Sequence, residues 1–461
     1  MDLLIVLGAL VFLMFVAYRG YSVILFAPVA ALGAVLLTDP SLVPPLFSSV
    51  FMEKMVGFVK NYFPVFMLGA VFGKVIELSG FSKSIVAAVI GVLGRQRAVL
   101  SIVVVCAILT YGGVSLFVVV FAVYPFAAEM FRQGDIPKRL IPCTIALGAF
   151  SFTMDALPGT PQIQNIIPTT FFNTTTWAAP VLGLLGSVFV FGLGLAYIEN
   201  RRRAAQMRGE GYGKDLLNEP EPFEQEELPS PWIAITPLIV VGVTNFLFTY
   251  LVPRAYGVKH EVTLGGHTIV TPIGPVAAIW AVEGALLLGI LTVFIFAWRP
   301  VLAKFADGSK AAVSGALLAS LNTASEYGFG GVIALLPGFA TVSSALRAIP
   351  NPLVNEAVTV TVLAGITGSA SGGMSIALAA MSDEFIAAAK AANIPLEVFH
   401  RVAAMASGGM DTLPHNGAVI TLLAVTGLTH RQAYKDVFVI TLTKTAAVFF
   451  VIAFYYLTGI Y

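Results

Sequence analysis

The chain has 461 residues, 57% hydrophobic and 11% charged, with mean hydropathy +0.88 and a net charge of +1. A soluble domain carries about 25% charge, so this composition excludes a protein that keeps itself in water. No basic stripe is present to bind nucleic acid.

Apolar runs of about 20 residues recur from end to end, as in a multispanning helical membrane protein. Barrel strands would alternate in polarity, and these runs do not. The first run, 3–18, has an acidic start and no small-residue cleavage site, so it is expected to be a retained span rather than a signal peptide. Runs 22–38 and 63–78 follow. Runs 98–110 and 114–131 form a pair split by "YGGVS", with Cys106 as a packing residue. Run 140–153, which holds Cys143, meets "MDALPGTPQ" at 154–162 and resumes briefly to Phe172. Run 177–197 precedes a charged, Pro-rich stretch, 199–231, which reads as a linker. Spans 232–251, 272–298 and 311–336 come next. A second split pair covers 358–367 and 374–390. The last spans are 402–423, broken by "MDTLPHNGA" at 410–418, and 437–457.

The second half repeats the first. "GGVS" at 112–115 matches "GGMS" at 372–375, "IPKRLIP" matches "IPLEVFH", and "GKVIELSGF" matches "GGVIALLPGF". Together with the Met-Asp-x-Leu-Pro pair these lie at offsets of 256 to 260 residues, which indicates an internal duplication. The expected division is a first repeat at 1–198, a linker at 199–231 and a second repeat at 232–461. Arg201, Arg202, Arg203 and Arg208 place the linker in the cytoplasm. Arg95, Arg97 and Arg132 flank both ends of the first split pair, so that pair is expected to be a re-entrant hairpin with its tip at Gly112 and Gly113. Five full spans then remain per half. An odd number inverts the second half, and an inverted duplication with broken helices is the pattern of a secondary transporter.

Non-helical backbone at membrane depth is tolerated where it lines a cavity. Four breaks are therefore expected to converge, each exposing the N-terminus of a half-helix. Four positive dipole ends form an anion site without arginine. None of the four breaks contains Lys or Arg, which favours a small monoanion over a tricarboxylate. Gly112, Gly113, Gly372 and Gly373 allow the turns at the tips. Ser115, Thr160, Gln162, Gln164, Asn165, Ser369, Ser371, Ser375, Thr412 and Asn416 offer donors to a hydroxy acid. For the serines and glycines, plain helix packing is an equal alternative. Asp155, Asp411 and His415 are titratable groups at membrane depth. Each Asp serves either a coupling proton or a cap on the broken helix. His415 has no duplicated partner, and its titration range suits proton coupling. In "SLNTASEYGFGG", Glu326 is a further proton-coupling candidate, with Asn322 and Thr323 beside the substrate. Glu283 reads as a scaffold or oligomer contact, and Lys74 pairs with Glu77. His260, His267, His400 and His430 fall in or beside predicted loops. No nucleophile elbow, Walker loop or metal-ligand spacing occurs, so neither an enzyme nor a metal or other cofactor is expected.

The duplicated GG-x-S hairpins, "MDALPGTPQIQNIIPT", "NTASEYGFGG" and "SGGMDTLPHNGAV" resemble the gluconate:proton symporter (GntP) family of the ion-transporter superfamily, over nearly the whole chain. The resemblance implies proton-driven uptake of gluconate-like sugar acids, or of shorter hydroxy acids such as 3-hydroxybutyrate. It also implies a prokaryotic inner-membrane homodimer with elevator-type movement. A sodium-coupled carboxylate carrier is the alternative, since exposed tip carbonyls suit sodium as well. Inverted halves argue against a channel.

Overall fold

Backbone in hydrocarbon must satisfy its own hydrogen bonds, and the long apolar runs do so as α-helices. The computed structural model describes residues 1–19, 21–94, 97–214, 216–220, 228–347, 349–414 and 416–461. The first half holds α1 (Asp2–Tyr18), α2 (Val23–Thr38), the single turn α3 (Val43–Leu46), α4 (Met52–Leu78) and α5 (Phe81–Leu93). It continues with α6 (Ala98–Tyr111), α7 (Leu116–Gln133), α8 (Ile141–Ala149), α9 (Phe152–Asp155), α10 (Ile163–Phe172) and α11 (Pro180–Met207). The second half holds α12 (Pro231–Tyr256), α13 (Gly274–Ile333), α14 (Pro337–Arg347) and α15 (Pro352–Thr367). It ends with α16 (Ala370–Ala392), α17 (Leu396–Ser407), α18 (Gly417–Thr426) and α19 (His430–Thr458). Among the described residues, 6 helical segments are long and apolar enough to cross a bilayer. The chain is an all-α polytopic membrane protein.

Proline at the first turn starts α11, α12 and α15, where its missing N–H costs nothing. Left-handed glycines end α15, α18 and α19. Spans expected at 272–298 and 311–336 are one 60-residue helix with non-helical dihedrals at Ala297. Pro300 lies three residues on, and its ring disrupts the preceding turn without ending the helix. Two short helices and a hairpin were not expected. Short helices α5 and α14 occupy matching positions before the two split pairs. An exposed β-hairpin, β1 (Lys259–Leu264) and β2 (His267–Pro272), links α12 to α13. Gly265 and Gly266 form its turn, both with positive φ, as a two-residue hairpin loop requires.

The halves interlock. Helix α10 packs on α16 and α17, while α18 packs on α7 and α8; α4 lies along α13, and α11 along α19. Helix α11 runs past residue 198 to Met207, since "ENRRRAAQM" is a good helix former with a Glu199–Arg202 pair one turn apart. The chain after it is tied to the bundle. Arg139 binds Glu210 through two nitrogens at 2.6 and 2.9 Å, Lys138 reaches Glu219 at 2.7 Å, and Asn218 donates to Ala424 O at 2.7 Å. The bond from Arg139 holds the Glu210 carboxyl below its ordinary range. A carboxyl depressed in this way contributes stability above its unfolded pKa and loses it on acidification, so the tie holds at neutral pH and weakens below about 4.5.

Helix α8 thus starts at the linker end of the bundle, where α18 also finishes. Helix α17 starts at the other end, where His400 meets Thr174 beyond α10. The basic cluster predicts that the linker end is cytoplasmic. In a Lys214→Cys variant, an impermeant thiol reagent should label the exposed cysteine only after the membrane is opened. The resident Cys106 and Cys143 are buried and give little background. Labelling in intact cells would reverse the orientation.

Candidate functional site

Each Met-Asp-x-Leu-Pro sequence separates two half-helices. In the first half, α9 ends at Asp155 and α10 begins at Ile163; in the second, α17 ends at Ser407 and α18 begins at Gly417. Gly159 has φ of 76°, and a Cβ there would lie 2.3 Å from the Trp177 ring. Its counterpart His415 lies outside the described residues. Neither aspartate is the N-cap residue of the following half-helix. Gln162 and Asn416 hold those positions, and the Asn416 side chain accepts from the Ala418 and Val419 amides.

These two amides also hold the hairpin tips. Gln162 Nε2 donates to Thr110 O at 2.7 Å and to Val114 O at 3.4 Å, and Asn416 Nδ2 donates to Gly368 O at 2.7 Å. Tyr111 adds a bond to Pro158 O at 2.9 Å. In each half, the hairpin tip is therefore docked on the break. The tip glycines have specific reasons. Gly113 has φ of 96°. A Cβ on Gly112 would meet Leu238 at 2.4 Å, and one on Gly373 would meet the Ala364 backbone at 2.2 Å. The close approach of neighbouring helices, besides the turn itself, demands glycine here. Asn416→Ala leaves the buried Gly368 O unpaired, at roughly 1–3 kcal/mol, and Gln162→Ala takes a donor from Thr110 O, which keeps the Gly113 amide. Both variants should show weaker half-saturation in uptake assays; wild-type values in both would mean that docked tips are irrelevant to binding.

A site free of lysine and arginine does not survive the structure. The breaks themselves contain none, but α17 and α19 deliver Arg401 and Lys444 to them. Arg401 is 0% exposed. Its Nη1 donates to Asp155 O at 3.1 Å and Asn165 Oδ1 at 3.0 Å, and its Nη2 donates to Ala178 O at 2.7 Å and Thr176 O at 3.4 Å. His400 is not in a loop. It is fully buried in α17, with Nε2 3.2 Å from Asn165 Oδ1 and Nδ1 2.6 Å from Thr174 Oγ1. Helix α17 begins six residues before the expected span at 402, which carries both polar residues inside. Asn165 also donates to Thr160 O and Thr176 O, and Thr160 Oγ1 donates to Thr153 O. Thr160 and Asn165 are thus spent on holding the first break.

Lys444 Nζ lies 2.5 Å from Asp411 Oδ1 and donates to Phe150 O at 2.9 Å, so it joins the two breaks. Asp155 lies on the other side of this junction, its Oδ2 against Gly408, where a Cβ would come within 1.9 Å. Thr412 pairs with Thr441 at 2.5 Å. A lone lysine inside an expected span was the available signal for this pair.

A second polar group surrounds the tip of the α15–α16 hairpin. Thr323 Oγ1 lies 3.2 Å from Ser371 Oγ, and Ser369 Oγ accepts from the Gly372 amide at 3.0 Å. Glu326 is 3% exposed and its Oε2 lies against Gly372. Glu326 Oε2, Ser375 Oγ and Gln164 Oε1 are buried with no hydrogen-bond partner. Asn322 is half-buried beside them in sequence, and Ser115 precedes α7 with no side-chain cap bond. A cleft of about 380 Å³ opens between α4, α13 and α16, lined by Glu53, Lys54, Gly331 and Ala380. No group of three or more His, Cys, Asp or Glu with metal-binding spacing occurs among the described residues.

No family model matches the chain. It is 60% identical over 478 aligned positions to a protein of Bacillus subtilis (strain 168) named uncharacterized transporter YxjC, with 100% of both chains covered. Among solved structures it is similar to the Alcanivorax borkumensis YdaH transporter, at 14% identity and TM-score 0.49, over 92% of this chain and 90% of that one.

Proposed function

We propose that this chain, which belongs to the same transporter family as YxjC, couples uptake of a small hydroxy-monocarboxylate to proton entry. Gluconate-like and 3-hydroxybutyrate-like acids are the substrate class, in line with the resemblance to gluconate:proton symporters. The carrying observation is the use of charge at the breaks. Helices α7, α10, α16 and α18 begin there, so four dipole ends favour an anion. Arg401 and Lys444 are both committed to internal partners. One carboxylate suits such a site better than three.

Gln164, Ser115, Ser369, Ser371, Ser375, Asn322 and Thr323 are the residues read as meeting substrate, with Gln164 and Ser375 still offering unpaired polar atoms. Asp155, Asp411 and Glu326 are the described candidates for the coupling proton. The opposite starting ends of α8 and α17 support inverted halves. An inner-membrane homodimer moving as an elevator completes the reading. Sodium coupling is less supported, because tip carbonyls Thr110 O and Gly368 O already accept from Gln162 and Asn416. The test is competition against labelled gluconate in proteoliposomes. Unlabelled gluconate and 3-hydroxybutyrate should compete and citrate should not; competition by citrate alone would sink the monoanion reading.

A further inference from the structure

We propose that Glu326 occupies the substrate's own anion seat, so that an anion binds only when a proton has neutralised this carboxyl. The inference rests on the carboxylate-symport reading above and names which group carries the proton and how.

Glu326 projects from α13 onto the N-terminus of α16. Its Oε2 would lie 1.7 Å from a Cβ on Gly372, the third residue after the N-cap Ser369. That is where a substrate carboxylate would be drawn by the N-terminus of a 23-residue helix, whose Gly372 amide is capped by Ser369 Oγ. Glu326 is 3% exposed, and Oε2 has no partner of its own. A buried acceptor left unpaired is costly for a charged carboxylate, and a proton taken up there removes that charge.

The first half marks the contrast. Gly73 of α4 and Gly330 of α13 are duplicated positions, and each packs on the second arm of its hairpin, against Ser115 and Val118 or against Ile376. One turn before Gly330 stands Glu326; one turn before Gly73 stands Gly69, where a Cβ would meet nothing within 4 Å. The duplication has thus filled this place with a carboxyl in one half and left it open in the other. A purely architectural acid gives no reason for that difference.

Few other titratable groups bear on the place. Helices α2 and α10 bring none. Helix α4 brings Tyr62, and Glu53 and Lys54 further along; Tyr327 lies beside Glu326 on α13. Helix α16 has Asp383, Glu384 and Lys390 only in its far half; α15 brings the buried Glu356 about three turns before the tip, and α17 brings Glu397, His400 and Arg401. Two anions at one helix terminus in a dry site repel strongly. Binding is therefore an exchange of charge: Glu326 COO⁻ takes up a proton to become COOH, and the substrate carboxylate supplies the negative charge at the N-terminus of α16. No bond other than O–H forms. The cleft lined by Lys54 and Gly331 opens about 1.5 turns along α13 from Glu326, and gives the proton a path.

The experiment uses the full chain in detergent and in proteoliposomes, with gluconate and 3-hydroxybutyrate as probes. Adding the better probe to unbuffered wild-type protein at pH 8 should draw about one proton per anion bound. Apparent affinity should weaken by up to about tenfold per pH unit on the alkaline side. In Glu326→Gln the proton uptake should vanish, the affinity should become flat with pH, and accumulation driven by a proton gradient should be lost. Wild-type protein that binds a probe with no proton uptake overturns the proposal even if the variant fails to fold. So does a folded variant that keeps the wild-type pH slope. Failure of both probes to bind would instead sink the substrate reading.

Discussion

Asp411→Asn is expected to cost about 3–5 kcal/mol of stability, because it strands the Lys444 ammonium in a dry core. The pair is 2.5 Å apart with both side chains buried, and Lys444 has one other acceptor, Phe150 O. Lys444→Met should be as damaging, since it leaves Asp411 charged beside Asp155. Removing both, in Asp411→Asn with Lys444→Met, should recover most of the loss, since neither charge is then unpaired. Thermal unfolding of the four proteins in detergent checks this. Additive losses would mean that the two residues do not act as a pair. The double variant also probes coupling: if it folds and still accumulates substrate on a proton gradient, neither Asp411 nor Lys444 carries the proton.

Arg401→Lys should be nearly as severe as Arg401→Leu. The guanidinium fork reaches Asp155 O, Thr176 O, Ala178 O and Asn165 together, spanning the first break and the turn before α11. A lysine keeps the charge but concentrates three donors at one point, so it cannot hold Asp155 O and Ala178 O as the fork does, while Thr176 O keeps Gly159 and Asn165, and Asn165 Oδ1 keeps His400. The loss is roughly 1–3 kcal/mol for each carbonyl left unpaired. The unfolding midpoint in detergent should fall sharply for both variants. A stable Arg401→Lys protein would mean that charge, not the fork, is what the first break needs.

The membrane class, the split pairs and both broken helices were legible because each leaves a one-dimensional trace. Long apolar runs, glycine pairs and Asp-x-Leu-Pro interruptions are visible without any contact. Amphipathic α5 and α14 were missed because they are too short and too mixed for a span. The kink at Ala297 has the sequence signature of a gap, because the charged residues after Pro300 resemble a loop, although they continue the helix. The β-hairpin had its signal in Gly265-Gly266 between β-branched residues, and it went unused. The misreading of charge has a deeper cause. Arg401 and Lys444 stand outside the breaks in sequence, and only packing of α17 and α19 brings them there. His400 looked peripheral for the same reason. Thr160 and Asn165 looked free to bind a ligand because their partners, Thr153 and Arg401, are assigned only by the tertiary fold. The pairing of Glu326 with Gly372 could not be read from spacing, yet the mismatch between Glu326 and Gly69 was open to view in the aligned halves.

The most direct test of the account is uptake of labelled gluconate and 3-hydroxybutyrate into proteoliposomes under separately imposed gradients. An inward proton gradient without sodium should drive at least one of the two above its external concentration, and dissipating that gradient should release it. Accumulation that requires a sodium gradient at constant pH, with none on a proton gradient alone, would contradict the account.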